Sequence, residues 1–301
     1  MKKLNLAIIG IGHWGKNLVR EFSDEANVVA YYNRQKESDR VLMQEQYPSI
    51  HRAELVQAIL ARTDIEAVVI ATPIATHYEL VRDSLRAGKH VFCEKPLCET
   101  STQARELIAL AQEHKRTLFV GYTFCYHPIF QKLRDLLKDD PVRYGNFHWQ
   151  KTGSFRERIE PNLLSHEVSL ILGLIGEPRD LRQVHTFGFP TPRDIVALNF
   201  SFGDNNQGHI FINRLANIKY KAVTLATAKH IYQWENDRLL RYDPTREKFE
   251  TIVESDEQPL TRECAAFIRS ILDGIPPLTD GAFATHIIEL TESIEAHRVP
   301  H

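Results

Sequence analysis

Two groups of residues have the types and spacing to do chemistry. Near the start, three glycines punctuate Ile8-Ile9-Gly10-Ile11-Gly12-His13-Trp14-Gly15-Lys16-Asn17. An apolar run, Leu4 to Ile9, enters this turn and a helix-compatible segment leaves it. Gly10 suits a tight turn, Gly12 lets the backbone approach a pyrophosphate, and Gly15 lets helix pack closely on strand. A phosphate would rest on the free N–H groups at the helix N-terminus, where the dipole favours negative charge. Much further on, Asn162, His166, Ser169 and Gly173 recur at i, i+4, i+7 and i+11, beside an apolar stripe of Leu164, Val168, Ile171, Leu172 and Ile175. Asn162 and His166 would be neighbours one turn apart on a polar face. A histidine there either satisfies the core or moves protons, for which its ordinary pKa is suited.

The elements that must position the glycine turn alternate regularly. Strand-like runs at Leu4–Ile9, Val28–Tyr32, Glu66–Ile70, His90–Cys93 and Thr117–Val120 are separated by helical segments at His13–Phe22, Gln35–Gln46, Arg52–Ala61, His77–Ala87 and Thr102–Lys115. Gly88 stands in the capping position of the fourth helix. Such alternation means βαβ units and a parallel sheet with right-handed crossovers, whose ligands bind beyond the strand C-termini. The turn then reads as a dinucleotide site. About 20 residues past the glycines, a carboxylate would bond the ribose 2′-hydroxyl of NAD, whereas an arginine could pair with the 2′-phosphate of NADP. Here Asn33-Arg34 follows the second strand and no acid does. Unless Arg34 is only a solvated cation, NADP is favoured over NAD.

After Gly121 the pattern changes. A helix from Pro128 to Lys138 is followed by strand-like runs at Gly145–Lys151, Leu181–Phe187, Ile195–Phe202, Gly208–Asn213, Tyr220–Ala226 and His230–Glu235. Polar turns such as Gly203-Asp204-Asn205-Asn206 join them, so a mostly antiparallel sheet is expected. The helix from Asn162 to Ile175 interrupts the strands, and helices at Leu260–Asp273 and Gly281–His297 close the chain. The expected organisation is α/β followed by α+β. A dinucleotide-binding domain over 1–121 precedes a substrate and oligomerisation domain over 122–301, the last helix being free to pack back on the first domain.

Bulk composition excludes several functions. With 37 Lys+Arg against 39 Asp+Glu, well mixed along 301 residues, no nucleic-acid or membrane surface is expected. No apolar run reaches the roughly 18–20 residues of a bilayer span, and the basic start runs straight into the first strand rather than forming a signal peptide. Cys93, Cys98, Cys125 and Cys264 show no zinc-ligand spacing. Reduced thiols, a cytoplasmic setting and no metal site are expected.

These pieces together resemble the Gfo/Idh/MocA oxidoreductase family, the glucose–fructose oxidoreductase and inositol dehydrogenase relatives. The resemblance rests on the Gly10–Gly15 turn, Ala71-Thr72-Pro73 with His77, Glu94-Lys95-Pro96-Leu97, His166 on its helix, and the stretch from Ala266-Phe267 to Asp280-Gly281. More narrowly, the run from Gly12 to Arg20 and Tyr126-His127-Pro128 look like the branch that oxidises nucleotide-activated amino sugars at the 3-hydroxyl. The resemblance implies a Rossmann domain and a partner domain on a mostly antiparallel sheet. It also implies hydride transfer at a sugar carbinol, which needs a base for the hydroxyl proton and a cation for the developing alkoxide.

On the same resemblance, Lys95 lies beside the nicotinamide and the substrate hydroxyl, and His166 is the general base. Pro96 keeps Lys95 in an extended loop, with a cis bond within reach; otherwise Lys95 is a solvated cation. Asn162 stands where many members place an aspartate, so it can orient substrate or histidine but cannot accept a proton. Gly10, Gly12, His13, Trp14, Asn33 and Arg34 are expected among the cofactor-binding residues. Thr72, Pro73 and His77 follow the nicotinamide ribose and phosphates, unless His77 is a surface residue at a helix start. Glu94 binds the nicotinamide ribose or structures its loop. Cys125 replaces an arginine of many relatives, and Thr152 to Asn162 is short.

The expected activity is NAD(P)-dependent interconversion of a secondary hydroxyl and a ketone on a sugar or nucleotide sugar, in a homodimer or homotetramer built through the second sheet. The alternatives are a reductase of a non-sugar compound on the same fold and a non-catalytic NAD(P)-binding sensor.

Overall fold

The computed structural model describes residues 3–34, 37–153, 155 and 158–296. They divide into two units, Met1–Thr123 with Pro259–Ile288, and Phe124–Gln258 with Glu289–His301. In the first unit Asn5–Ile9 (β1), Asn27–Tyr32 (β2), His51–Arg52 (β3), Ala67–Ile70 (β4), His90–Glu94 (β5) and Leu118–Gly121 (β6) form one sheet in the order β3-β2-β1-β4-β5-β6. Every pairing is parallel. β4 is buried at all four positions and β1 at all but Asn5, as strands covered by helices on both faces must be. The order reverses between β1 and β4, which is where open sheets of this kind take a ligand.

The covering helices are His13–Glu25 (α1), Glu37–Gln46 (α2), Val56–Leu60 (α3), His77–Arg86 (α4) and Ser101–Glu113 (α5). The expected helix Arg52–Ala61 is corrected to the single turn of α3, because β3 takes His51 and Arg52 beside β2. The first residue expected of the second helix, Gln35, lies outside the described residues, as does His297 at the end of the last.

Chain order and packing differ at the C-terminal end. Pro259–Leu272 (α8) brings Phe267 into an aromatic cluster with Phe22, Phe92 and Phe119, with ring centroids 5.6 to 5.9 Å from Phe267. Beside the edge strand, Val120 N–H donates to Thr279 O at 2.8 Å and Thr279 Oγ returns a bond to Val120 O at 2.6 Å. Residues 259–288 therefore group with the first sheet; the sequence had left the last helix free to do so and had placed Pro259–Leu272 with the second.

The second unit is built on an eight-stranded sheet. Its strands are Val142–Gln150 (β7), Arg179–Phe187 (β8), Ile195–Phe202 (β9), Asn206–Asn213 (β10), Tyr220–Thr227 (β11), Ile231–Glu235 (β12), Arg238–Asp243 (β13) and Lys248–Glu254 (β14). They run in the order β14-β13-β12-β11-β7-β10-β9-β8, antiparallel except for β7 with β10. β13 and β14 were not anticipated: they are short on apolar alternation and instead place Arg238 opposite Glu254 and Arg241 opposite Glu250. Charge of this kind also blunts an edge strand.

Pro128–Leu137 (α6) and Ser165–Leu174 (α7) pack together, Gly173 lying so close to Phe130 that a Cβ there would stand 2.4 Å from its ring. Gly281–Ala296 (α9) closes the chain. No helix among the described residues is long and apolar enough to cross a membrane.

Candidate functional site

At the end of β1 the backbone turns through Gly10 at φ 98°, with its N–H on Tyr32 O at 2.8 Å. A Cβ on Gly10 would lie 2.6 Å from Ala71 O, and one on Gly15 would lie 2.0 Å from Gly10 O. Both glycines are thus fixed by the protein's own backbone. Gly12 is different, because a Cβ there would meet nothing within 4 Å. It also precedes the first turn of α1, whose N–H groups receive no side-chain cap and share no acidic residue. An uncapped helix start behind an open glycine fits a pyrophosphate. His13 and Trp14 are exposed beside it.

The end of β2 carries the residues that would read the adenosine ribose. Asn33 Nδ2 donates to Asp39 Oδ2 at 3.2 Å, and Lys16 Nζ pairs with Asp39 at 2.7 Å. Asp39 is buried. Arg34 is exposed and makes no ion pair among the described residues, which leaves its guanidinium open to a phosphate. Lys16 and Asp39 were not singled out from the sequence, because their pairing depends on how α1 and α2 face each other.

After β4, Thr76 Oγ donates to Pro73 O at 2.8 Å and lies 2.7 Å from Thr72 Oγ, closing the loop that faces Gly10. His77 opens α4 but is only 1% exposed, which rules out a surface role. Its Nδ1 lies 2.8 Å from Pro96 O and its Nε2 2.8 Å from Thr72 O. The ring therefore ties the loop after β4 to the loop after β5. That is a task of positioning, carried out from behind the crevice.

The loop after β5 begins at Glu94 and carries a cis bond between Lys95 and Pro96. Lys95 is half-buried. The indole N–H of Trp14 donates to Glu94 Oε1, so the first turn of α1 is hydrogen-bonded to the strand that presents Lys95. Glu94 pairs in register with Gly121, and a Cβ on Gly121 would stand 3.3 Å from its carboxyl carbon. Two residues beyond, Thr123 Oγ donates to Glu263 Oε2 at 2.8 Å, while Glu263 Oε1 is buried with no hydrogen-bond partner. Burial pushes the Glu94 carboxyl up to about 7, against the pull of the Trp14 N–H and the Lys95 charge. Burial and then the charge of Glu94 hold Glu263 well above the usual carboxylate range. Glu263 comes from α8, so sequence proximity gave no hint of it.

In the second unit, His166 stands in the first turn of α7 and Asn162 in the π-turn Glu160–Leu164 that leads into it. The wider turn alters the expected face. Ser165, Glu167 and Ser169 are buried, whereas Leu172 and Ile175 are only half-buried. The stripe is corrected accordingly: the helix is enclosed on most sides, so its amphipathic period is weak. The helix start is anchored by a buried polar network. Arg193 pairs with Glu160, Arg214 Nε donates to Asp194 Oδ1 at 2.8 Å, and Thr191 bonds Asp194 as well. Although burial opposes ionisation of Asp194, the N–H groups of Phe189 and Thr191, the Thr191 hydroxyl and Arg214 hold it down to about 2.

His166 sits against two aromatic rings, Phe124 at 5.2 Å and Trp149 at 5.5 Å between centroids. The Lys221 ammonium lies over the same rings, at 4.6 and 4.2 Å, and pairs with the fully buried Glu167. Burial pulls the Lys221 ammonium down, against the Glu167 charge. Lys151 lies over Trp149 too, at 5.2 Å. Phe124, Trp149, Lys151, Glu167 and Lys221 were all missed by the sequence reading; the register of β7 against β11, which sets Lys221 opposite Trp149, leaves no local mark in the sequence. Cys125, which stands where many relatives carry an arginine, is buried with Sγ 3.8 Å from Ser169 O. His127 caps α6, its Nδ1 accepting from Ile129 N–H at 3.1 Å. The four cysteines are buried free thiols, and no group of metal-ligating side chains is found among the described residues.

Comparison with known proteins bears on both halves. Residues 4–122 match the model of the oxidoreductase family with an NAD-binding Rossmann fold, GFO_IDH_MocA. The UDP-N-acetylglucosamine 3-dehydrogenase of Acidithiobacillus ferrooxidans is 26% identical over 225 residues, 71% of this chain and 68% of that one. Its structure superimposes with a TM-score of 0.90 over 98% of both chains at 22% identity. Inositol 2-dehydrogenase of Rhizobium meliloti is 38% identical over 87 residues, 29% of this chain and 26% of that one. Biliverdin reductase of Synechocystis, solved with biliverdin and NADP+, has the same fold at a TM-score of 0.82 and 17% identity, over 97% of this chain and 98% of that one.

Proposed function

We propose, from the match of residues 4–122 to the model of the NAD-binding Rossmann fold of the GFO_IDH_MocA oxidoreductase family, that the protein interconverts a secondary hydroxyl and a ketone on a sugar or nucleotide sugar, with NADP preferred to NAD. The observation that carries the reading is the turn at the β1/β4 switch point, where Gly10 and Gly15 are fixed by backbone contacts while Gly12 faces open space before an uncapped helix. Gly10, Gly12, His13 and Trp14 bind the pyrophosphate, and Asn33 and Arg34 the adenosine ribose with its 2′-phosphate. Thr72, Pro73 and Glu94 line the nicotinamide side, and His77 holds their two loops in place.

When bound, the nicotinamide accepts or donates the hydride. The chain's own residues handle the proton and the charge. The His166 imidazole takes the hydroxyl proton, the Lys95 ammonium holds the alkoxide as it develops, and Asn162 orients the sugar. An amide at 162 cannot accept a proton, so Asn162 supplies no carboxylate relay for His166. The relatives named for sugar alcohols and a nucleotide sugar support this substrate class. The reading includes assembly of two or four copies through the second sheet, to be weighed by light scattering.

The test is reduction of NAD(P)+ by a panel of sugars, inositols and nucleotide sugars, with cofactor affinity measured alongside. Lys95→Ala and His166→Ala should each lower turnover by about 10²–10⁴-fold with cofactor binding nearly intact, and NADP should bind more tightly than NAD. Full activity in both variants would end the assignment. Tight cofactor binding without turnover of any substrate would favour a sensor.

A further inference from the structure

The two lysines over the Trp149 ring are treated differently by the fold. Lys221 has a counter-ion, the buried Glu167. Lys151 is half-buried, follows directly on β7, and has no carboxylate partner among the described residues. Burial, and after it the charge of a second cation, Lys219, pull its ammonium down. The Trp149 N–H is buried in the same place with no acceptor. A half-desolvated ammonium and an unanswered N–H donor both call for an acceptor that the described residues do not supply there, and buried donors in folded proteins are rarely left so. The ring that carries both lies 5.5 Å from His166.

We propose that Lys151, with Trp149 beneath it, is a subsite for an anionic group on the substrate, a phosphate or a carboxylate placed beside the carbinol that His166 serves. This rests on the reading of His166 as the base of a sugar oxidoreductase and narrows its substrate to sugars that carry a negative charge. Lysine suits the task as a compact point charge that needs no fixed fork geometry. A charge-assisted contact to a phosphate or carboxylate is about twice as strong as a neutral one. Lys221 does not share the role, because Glu167 already neutralises it.

The experiment compares wild type, Lys151→Gln and Lys151→Arg with four probes: UDP-N-acetylglucosamine, glucose 6-phosphate, glucuronate and myo-inositol. Wild type should turn over at least one anionic probe with a KM about tenfold or more below that for myo-inositol. Lys151→Gln should raise KM for that probe about 10- to 100-fold with kcat little changed, leave the neutral probe unaffected, and be partly rescued by arginine. The phosphate and carboxylate probes tell the two sources of charge apart. In parallel, calorimetry of UDP and glucuronate binding to the cofactor-free protein reads the subsite without turnover. Anion binding that weakens about tenfold in Lys151→Gln keeps the subsite even where no probe is oxidised and the oxidoreductase reading fails. Equal handling of charged and neutral probes by wild type and Lys151→Gln, or no anion binding by wild type, overturns the proposal.

Discussion

The two units carry their chemistry in different parts of the chain. In the first, the turn after β1 is made of backbone: Gly10 and Gly15 are demanded by carbonyls 2.0 to 2.6 Å from where a Cβ would stand, and the crevice is the reversal of strand order itself. In the second, the surroundings of His166 are made of side chains, two rings and two ammonium groups delivered by β7 and β11 and by Phe124 before α6. A backbone site is written where glycine is obligatory and so leaves a local mark in the sequence. A side-chain site depends on strand register, and a one-residue slip of β7 or β11 would turn Trp149 or Lys221 to the other face.

The sharpest way to break this comparison is to remove the side-chain charge that the second unit cannot spare. Lys221→Met leaves Glu167 fully buried with no counter-ion. Removing one partner of a buried pair costs about 3–5 kcal/mol, so urea unfolding of the variant should show a loss of that order. Lys221→Met with Glu167→Gln should recover most of it, since the uncompensated charge is then gone. A single variant as stable as wild type would mean that the pair is solvated and that the cluster round His166 is loose.

This difference explains what could be read without coordinates. The glycine turn, the parallel order and the mostly antiparallel second sheet were legible, because turn residues and apolar periodicity are local. Asn162 and His166 were legible as one helix face, yet the π-turn at Glu160–Leu164 changed which neighbours are buried. Glu263 was not legible beside Glu94, nor Lys221 beside Glu167, which is 54 residues away. No period marks a residue whose only signal is the partner it meets across a sheet. β13 and β14 were missed for a related reason, their pairing being carried by opposite charges rather than by an alternation of apolar side chains.

Within the first unit the glycines separate fold from function. Gly15→Ala forces a Cβ into Gly10 O and should cost about 1–3 kcal/mol of stability or more. Gly12→Ala meets no protein atom within 4 Å. Its melting temperature should stay within about a degree of wild type while the cofactor Kd rises about tenfold, or about 1.4 kcal/mol. A Gly12→Ala protein that binds NADP as wild type does would show that the turn is structural throughout and that the backbone site lies elsewhere.

The smallest effect tests the one place where the backbone site depends on a titrating side chain. Glu94 is held up at about 7 by burial, above the ordinary carboxylate value of 4.5. In that interval the folded state holds a proton that the unfolded chain has lost, so stability must fall as pH rises from about 4.5 to 7 and level off above. The groups around it are the Lys95 charge, the Trp14 N–H, and Glu263 with Thr123 on the far side of Gly121. Glu94→Gln should flatten that segment of the stability curve, and Trp14 fluorescence should lose a transition centred near 7. The indole N–H donates better to a carboxylate than to a carboxylic acid, so ionisation of Glu94 ties the glycine turn more tightly to the Lys95 loop even as it costs overall stability. A curve that rises between pH 4.5 and 7 in wild type and falls in Glu94→Gln would reverse the sign, and with it the inference that burial, rather than Lys95, governs this carboxyl.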